Sequence, residues 1–250
     1  MEKTFEFDFD GMKLRGVIGG RNETRALVII CHGFLLSKNS NVPKSAFNFL
    51  VEKGFRVISF DFPGCGASEG SFRDTTISRN ANAILKLVET IKQQKLAEPS
   101  EVFLLGHSMG AAACAYAATF VKFKGLVLFS TPLTWMAQKE FEDNEYLEKW
   151  KRDRVVSLLM QRKNQLVELG YQYYEDAVGK KVVEHIAKSQ TPCFIVQGQG
   201  DCITDQRAIF ELLAASTEGS LGLIVPKADH SFRNAGLNLA LEQCTKWMQK

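Results

Sequence analysis

The chain has 250 residues, of which 45% are hydrophobic and 24% are charged, and its formal net charge is +3. This length allows one large domain or two small ones, and the composition is that of a soluble globular protein. Lys and Arg are scattered along the chain. This argues against a nucleic-acid-binding surface, because such a surface needs a concentrated basic face.

The six cysteines form no C-x-x-C pair, and several lie in apolar runs. We therefore expect buried free thiols rather than a disulfide framework or a zinc site. The first residues, MEKTFEFDFDGMKL, place acidic side chains among phenylalanines and contain no signal-peptide h-region. No uncharged apolar run approaches the roughly 20 residues that span a bilayer. The sequence thus predicts a soluble, cytoplasmic protein with no membrane span.

The predicted elements begin with a β-hairpin around Asp10 and Gly11, where phenylalanine alternates with polar residues. After it, apolar runs typical of strands buried on both faces alternate with segments of helical spacing. The predicted strands are RALVIICHGF, FRVISFDF, EVFLLGHS, KGLVLFSTP, TPCFIVQGQGD and SLGLIVPKADH. The predicted helices are 45–53, 75–95 with Asp74 as its N-cap, 111–121, DQRAIFELLAAST and NLALEQCTKWMQ.

This alternation predicts βαβ units and a mostly parallel, doubly wound α/β sheet of about eight strands, with the hairpin as its antiparallel edge. Residues 133–190 interrupt the pattern, because they are charged and aromatic, with helical stretches but no buried-strand pattern. We interpret them as a helical cap, or lid, inserted above a core domain formed by residues 1–132 and 191–250.

The segment GHSMG, residues 106–110, lies between a predicted buried strand and a predicted helix, which is the pattern of a nucleophile elbow. A sharp turn there would expose the Ser108 hydroxyl at the carboxyl edge of the sheet. Gly106 and Gly110 would fit where the strand and helix leave no room for a Cβ. The alternative interpretation is a glycine-rich turn without a catalytic role.

A serine nucleophile needs a base within hydrogen-bond reach, and the base needs a carboxylate to orient it. His230 follows the last buried strand, at the edge on which Ser108 would stand, and we predict it as the general base. The other histidines have simpler interpretations. His107 should point away from the hydroxyl, His32 is a structural, hydrogen-bonded residue, and His185 is solvated surface.

The acid should lie in a loop at the same edge. Asp201 comes directly after its strand and is favoured, with Asp205 near the next helix start as the alternative. Asp229 is adjacent to His230 in the chain and is badly placed to hold its ring. With Asp201, the chain order is Ser, Asp, His, which is the order of α/β-hydrolases.

A tetrahedral intermediate also needs hydrogen-bond donors directed at its oxyanion. One should be the backbone N–H of Met109, directly after the nucleophile. The other should come from the loop after VIICHGF, where Gly33 permits a tight approach and Phe34 N–H is the natural candidate. The Phe34 ring could also simply line a pocket.

We interpret two other motifs as a structural turn and as a group of residues that holds no metal. DFPGCGASEGS, residues 61–71, resembles a phosphate-cradling loop but lacks both the Walker A lysine pattern and the G-x-G-x-x-G spacing, so we read it as a turn. Asp201, Asp205 and His230 could in principle ligate a metal, but no HExxH-type spacing supports a metal site.

The segments CHGF, DFPGCGASEG, GHSMG, QGQGD and ADHSF occur in an order and spacing that resemble the α/β-hydrolase superfamily over nearly the whole chain. Within it, the chain looks most like small carboxylesterases grouped with serine-aminopeptidase-like hydrolases, including cinnamoyl (feruloyl) esterases. The resemblance implies Ser108 as nucleophile, His230 as base and Asp201 as its partner, with Phe34 and Met109 forming the oxyanion hole. It implies no metal and no organic cofactor.

The expected function is therefore a serine hydrolase that cleaves small or medium acyl or aryl esters through an acyl-enzyme. A monoacylglycerol lipase, a thioesterase, a serine aminopeptidase and a non-catalytic binding protein are the alternatives. The expected partner is a small-molecule ester, and a homodimer is left open. The cap carries aromatic residues that either line a pocket or anchor the cap. They are Trp135, Phe141, Tyr146, Trp150, Tyr171, Tyr173 and Tyr174.

Overall fold

The structure is a computed structural model that describes residues 2–21, 26–134, 144–160, 164–233 and 236–250. The strands in these ranges are β1 (Lys3–Phe9), β2 (Met12–Gly19), β3 (Leu27–Cys31), β4 (Arg56–Phe60), β5 (Val102–His107), β6 (Gly125–Phe129), β7 (Val155–Met160), β8 (Gln165–Gly170), β9 (Cys193–Gly198) and β10 (Leu221–Val225). The helices are α1 (Asn41–Glu52), α2 (Ile77–Gln93), α3 (Met109–Ala117), α4 (Asn144–Asp153), α5 (Gln172–Ala177), α6 (Val182–Ser189), α7 (Ala208–Ala215) and α8 (Leu237–Met248).

Eight strands form one sheet in the order β1-β2-β4-β3-β5-β6-β9-β10. The β1–β2 and β2–β4 pairs are antiparallel, and the pairs from β4 to β10 are parallel. Asp10 and Gly11 join β1 to β2 with φ of 52° and 75°, as the tight turn of a hairpin requires. The structure thus confirms the predicted mostly parallel sheet and its antiparallel edge.

Helices cover both faces of this sheet, which is why its central strands can be buried throughout. Every residue of β3, β5, β6 and β9 is buried. One core cluster joins the sheet to α2, α3, α6 and α7, and the other joins it to α1 and α8. Since parallel strands all end at one edge, this arrangement brings the loops after β3, β5, β9 and β10 to the same side.

The start of α2 differs from the prediction. The hydroxyl of Thr76 accepts a hydrogen bond from Arg79 N at 3.0 Å and is the N-cap. The predicted N-cap, Asp74, lies in a 3₁₀ turn (Phe72–Asp74) that precedes the helix. The prediction of Asp74 was therefore wrong, because the chain makes a separate turn before the helix begins.

The segment between β6 and β9 contains α4, β7, β8, α5 and α6 in its described part. Strands β7 and β8 form a separate antiparallel hairpin, which the sequence did not predict. The boundaries of a cap at 133–190 stay a prediction. For brevity we call the described residues between β6 and β9 the insertion.

Aromatic residues of the insertion pack mainly on one another. Trp150 is buried, donates from Nε1 to Leu169 O at 3.1 Å, and meets Tyr171 edge-on with 5.6 Å between ring centroids. Tyr171 and Tyr174 are stacked at 5.3 Å. These contacts favour the anchoring interpretation for this cluster. Trp135 and Phe141 lie outside the described residues.

The six cysteines are all free, and five of them are buried, as expected. The exception is Cys202, which is exposed. Nowhere in the described ranges does a helix combine the length and the apolar character that a membrane crossing needs.

Candidate active site

The backbone at Ser108 forms a sharp turn between β5 and α3. Ser108 has φ of 54° and ψ of −120°, a conformation that costs a non-glycine residue about 1–3 kcal/mol. Backbone hydrogen bonds fix it there. Ser108 N donates to Phe129 O at 2.9 Å, and Ser108 O accepts from Ala111 N at 2.9 Å. The turn leaves Ser108 partly exposed between two buried neighbours.

The flanking glycines are needed for close approach, as the sequence predicted. A Cβ on Gly106 would lie 2.4 Å from Ala111 Cα, and one on Gly110 would lie 2.3 Å from Cys31 O. Both distances are impossible for real atoms. Gly106 thus lets the end of β5 approach the first turn of α3, and Gly110 lets that turn lie directly against the end of β3.

Ser108, His230 and Asp201 form one hydrogen-bonded chain. His230 Nε2 lies 3.0 Å from Ser108 Oγ, and His230 Nδ1 lies 2.9 Å from Asp201 Oδ2. An ionised carboxylate can only accept, so Nδ1 carries the proton and Nε2 accepts from the serine hydroxyl. The structure thus brings together the three side chains that the sequence singled out, in the tautomer that a general base requires.

The carboxylate of Asp201 is buried and surrounded by donors. Its Oδ1 accepts from Ile203 N at 2.9 Å and Thr204 N at 3.0 Å, while Oδ2 accepts from Thr204 Oγ1 at 2.6 Å and Gln197 Nε2 at 3.0 Å. Burial by itself raises the pKa of Asp201, but the hydrogen bonds from His230 and Thr204 outweigh it and hold the pKa well below its ordinary value. The side chain therefore stays ionised opposite His230.

The two other aspartates weighed from the sequence have different partners. Asp205 is exposed and pairs with Arg207 at 2.6 Å, two residues along the chain. Asp229 accepts from Arg233 N at 2.9 Å. Of the three candidates, only Asp201 contacts the ring of His230 in the described structure.

The loops after β9 and β10 meet because those strands pair in parallel, with Gly198 opposite Val225. A Cβ on Gly198 would lie 2.5 Å from Ala228 O, so this contact also depends on glycine. Gly200 N donates to Ala228 O at 2.8 Å. The acid and the base are therefore held together by backbone contacts as well as by their own hydrogen bond.

His107 contacts the backbone of the His230 loop, and it is His230 rather than His107 that is hydrogen-bonded to Ser108 Oγ. Its Nε2 lies 2.9 Å from His230 O, so Nε2 carries the proton. Burial, with a smaller contribution from the charge of His230, lowers the pKa of His107 to about 3. His107 is therefore neutral at any pH well above that value, with its single N–H directed at His230 O.

The candidate oxyanion donors lie at the junction of β3 and α3. In the described structure, no backbone or side-chain acceptor takes the N–H of Phe34 or of Met109. The first N–H groups of a helix have no intrahelical partner, which accounts for Met109. A Cβ on Gly33 would lie 3.2 Å from His107 Nδ1, so the Phe34 loop packs against the turn at Ser108. Neither amide is thus committed to an acceptor within the described structure.

The Phe34 side chain joins this loop to the insertion. Its ring lies 5.3 Å from that of Phe72 and 5.5 Å from that of Tyr173, between centroids. Tyr173 is buried, and burial raises the pKa of its hydroxyl. Of the insertion's described aromatic residues, Tyr173 is thus the one in ring contact with a predicted site residue.

His185 differs from its interpretation as solvated surface. It is half-buried, and its ring meets that of Tyr116 edge-on at 4.7 Å. Burial lowers the pKa of His185. The contact is long-range, between α6 and α3, so the charged sequence around His185 did not reveal it.

Sequence reasoning also missed the side chains that support Asp201, namely Gln197 and Thr204. Gln197 is a polar residue in the apolar run FIVQG. Because a buried polar side chain needs a hydrogen-bond partner, its presence in such a run could have identified Gln197 as a supporting residue. No comparable signal marked Thr204. Among the described residues, no group of three or more His, Cys, Asp or Glu side chains is arranged to hold a metal ion.

Comparisons with known proteins agree with this architecture. A family model described as the alpha/beta hydrolase fold matches residues 26–154. The chain superimposes on Est1E from Butyrivibrio proteoclasticus, solved with ferulic acid bound, with a TM-score of 0.82, 22% identity and 98% of each chain covered. An esterase from Pyrococcus furiosus gives a TM-score of 0.77 at 18% identity, covering 100% of this chain and 91% of that one.

A curated relative, an uncharacterised 31.7 kDa protein of Escherichia coli, is 29% identical over 101 residues. This match covers 40% of the chain and 35% of the relative, about a third of its length. The solved structures share the fold with this chain and confirm the predicted fold class.

Proposed function

The chain belongs to the α/β hydrolase family, and from that premise we propose that it is a serine hydrolase that cleaves carboxylic esters through an acyl-enzyme. The observation that carries the proposal is the continuous hydrogen-bonded chain from Ser108 through His230 to Asp201, at 3.0 and 2.9 Å. Such a chain converts a weakly nucleophilic hydroxyl into one that attacks a carbonyl.

In the first half of the reaction, Ser108 Oγ attacks the ester carbonyl carbon while His230 Nε2 removes its proton. The ring then carries a positive charge, which the ionised carboxylate of Asp201 stabilises at 2.9 Å. The carbonyl oxygen becomes an oxyanion that accepts hydrogen bonds from Phe34 N and Met109 N. Removing one such donor typically costs about 2.7–4 kcal/mol of transition-state stabilisation.

The tetrahedral intermediate then collapses. The bond to the alcohol breaks, and the alcohol leaves with the proton from His230 Nε2. In the second half, a water molecule loses a proton to His230 and attacks the acyl group on Ser108. Collapse of the second intermediate returns the proton to Ser108 Oγ and releases the carboxylic acid.

The proposed substrates are small or medium acyl or aryl esters, reached beneath a cap at 133–190. Ser108 and His230 are partly exposed, whereas Asp201 is buried behind them. A small molecule can thus approach the nucleophile and base while the acid stays shielded from water. The partly exposed ring of Phe34, packed on the buried ring of Tyr173, offers an apolar surface beside the proposed oxyanion donor.

The proposal is tested by labelling with a fluorophosphonate and by turnover of p-nitrophenyl esters. We expect the wild-type protein to react with the probe and Ser108→Ala to lose both labelling and turnover. Asp201→Asn should lower kcat by about 10⁴-fold, since it favours the wrong tautomer of the base. Asp205→Asn is the matched control from the same loop and should leave kcat unchanged.

A panel that adds feruloyl esters, monoacylglycerols, thioesters and aminoacyl anilides then assigns the substrate class. Rapid anilide cleavage with inert esters would replace the esterase proposal with a peptidase. A wild-type protein that neither labels nor turns over any member of the panel would contradict the proposal as a whole.

A further inference from the structure

The loop that carries Phe34 is anchored at both ends by two consecutive residues that follow β4. At its start, Phe62 N donates to His32 Nε2 at 3.0 Å, and His32 Nδ1 donates to Gly33 O at 2.8 Å. At its end, Lys38 N donates to Asp61 Oδ1 at 2.7 Å, and Lys38 Nζ pairs with Asp61 Oδ2. We call residues 32–38 the oxyanion loop.

The ion pair at the end of this loop is removed from water. The Asp61 side chain is 0% exposed, and that of Lys38 is 12% exposed. A buried carboxylate whose ion pair and hydrogen bonds are all formed is held in one geometry. Losing the partner would leave a buried charge without compensation, which is strongly destabilising. Asp61 thus fixes both the backbone and the side chain of Lys38.

The glycine-rich segment after β4 is built around the same carboxylate. Ala67 N donates to Asp61 Oδ2 at 2.9 Å, and Ser68 Oγ donates to Asp61 O at 2.6 Å. A Cβ on Gly66 would lie 2.2 Å from the Asp61 carboxyl group, so only glycine fits there. The motif that resembles a phosphate-binding loop therefore encloses a carboxylate of the protein itself.

We propose that Asp61, acting through Lys38, is a positioning residue that sets where the oxyanion loop presents Phe34 N–H. Phe34 lies between the two anchors, and its N–H is directed by neither a strand nor a helix. The ring of Phe34 packs on Phe72 and Tyr173, but the backbone of the loop on either side of Phe34 is held by the two anchors. The inference rests on the proposed function, because Phe34 N–H matters only if an oxyanion forms beside Ser108.

Asp61→Asn tests the inference, because it keeps the shape of the side chain and leaves the Lys38 ammonium without a counter-charge. We expect kcat for a p-nitrophenyl ester to fall about 10²-fold, as misplacement of a catalytic group by 1 Å does, with KM within about twofold. Affinity for a boronic acid, which mimics the tetrahedral intermediate, should fall in parallel with kcat/KM.

Glu69→Gln is the matched control. Glu69 lies in the same segment after β4, but its ion pair with Arg15 is exposed. Its removal should change neither kcat nor boronic acid affinity. Amide hydrogen exchange of residues 33–38 provides a readout without catalysis, and it should accelerate in Asp61→Asn but not in Glu69→Gln.

The double variant Lys38→Met with Asp61→Leu covers the case in which Asp61→Asn does not fold. Replacing a buried ion pair by apolar residues is often neutral for stability. The amides of Lys38 and Ala67 lose their acceptor in this variant, so its thermal transition should fall but stay cooperative. The inference predicts lowered kcat and boronic acid affinity in the folded variant. A folded variant with faster loop exchange but wild-type kcat and boronic acid affinity would overturn it.

The outcomes also separate this inference from the proposed function. A wild-type protein that does not react with a fluorophosphonate counts against the serine hydrolase itself. A reactive wild-type protein whose Asp61 variants react equally fast counts only against the positioning role of Asp61.

Discussion

The central sheet and the insertion between β6 and β9 differ in how far their strands are buried. Strands β3, β5 and β9, which lead into the candidate site, are buried along their whole length. Strand β8 of the insertion has exposed positions, and its Glu168 forms an exposed ion pair with Arg73. We therefore expect substitutions in β3, β5 and β9 to disturb the candidate site, and substitutions at the exposed positions of β8 to leave it in place.

A partly buried polar contact joins the two regions at α5. Asp176 of α5 accepts from Ile77 N and Ser78 N, both at 3.0 Å, and from Ser78 Oγ at 2.6 Å. The carboxylate thus caps the N-terminus of α2, where the helix dipole favours a negative charge. Tyr173, one turn earlier, packs on Phe34. Helix α5 thus both joins the insertion to α2 and contacts the oxyanion loop.

Among the variants that test this comparison, Gly110→Ala should give the largest effect. Its Cβ would lie 2.3 Å from Cys31 O, so α3 must move away from β3. Overpacking of this kind costs about 1–3 kcal/mol, and displacement of Ser108 should lower kcat/KM by about 10²-fold or more. Ester turnover and urea denaturation measure the two effects.

Gly179→Ala, in the insertion, is the paired variant for that experiment. No atom lies within 4 Å of its added Cβ, but its φ of +79° disfavours alanine. We expect a loss of about 1–2 kcal/mol in the free energy of unfolding without a change in kcat/KM. Equal losses of activity in both variants would contradict the contrast between the two regions.

Asp176→Ala should give an intermediate effect. It leaves Thr76 as the N-cap of α2 but removes the acceptor of Ile77 N, Ser78 N, Ser78 Oγ and Lys180 Nζ, which costs about 1–2 kcal/mol of stability. Hydrogen exchange should accelerate in α5 and in the first turn of α2, while the central strands keep their protection. Glu175→Gln is the control, because Glu175 is adjacent but forms an exposed pair with Arg154. Unchanged exchange in α5 would show that the docking contact lies elsewhere.

Arg73→Gln should give the smallest effect. The ion pair of Arg73 with Glu168 spans 3.3 Å, and both side chains are at least half exposed. Exposed pairs contribute about 0–1 kcal/mol, so the midpoint of thermal unfolding should hardly move. A loss comparable with that of Asp176→Ala would place the main docking energy at the surface.

Patterns fixed by local chemistry were predictable from the sequence. The hairpin at Asp10-Gly11 followed from alternation and turn residues, and the elbow at Ser108 followed from two glycines between an apolar strand and a helix. The positions of Asp201 and His230 followed from a topological rule, because parallel strands end at one edge. These inferences needed no knowledge of side-chain contacts.

The remaining features depend on contacts between distant segments. The β7–β8 hairpin is half-exposed, so its strands lack the buried apolar run that marks the strands of the central sheet. Trp150 of α4 covers part of the hairpin and donates a hydrogen bond to Leu169 O. The His185–Tyr116 contact and the support of Asp201 by Thr204 also arise only when loops and helices fold together. Local propensity contains no information about such pairs.

At the left-handed backbone position of Ser108, folding stability and the proposed activity favour different residues. Its φ of 54° is a conformation that glycine adopts freely and serine does not. A sequence selected only to stay folded would place glycine at this position, whereas the proposed hydrolysis requires the hydroxyl. The rest of the fold must therefore hold enough surplus stability to keep one unfavourable residue in place.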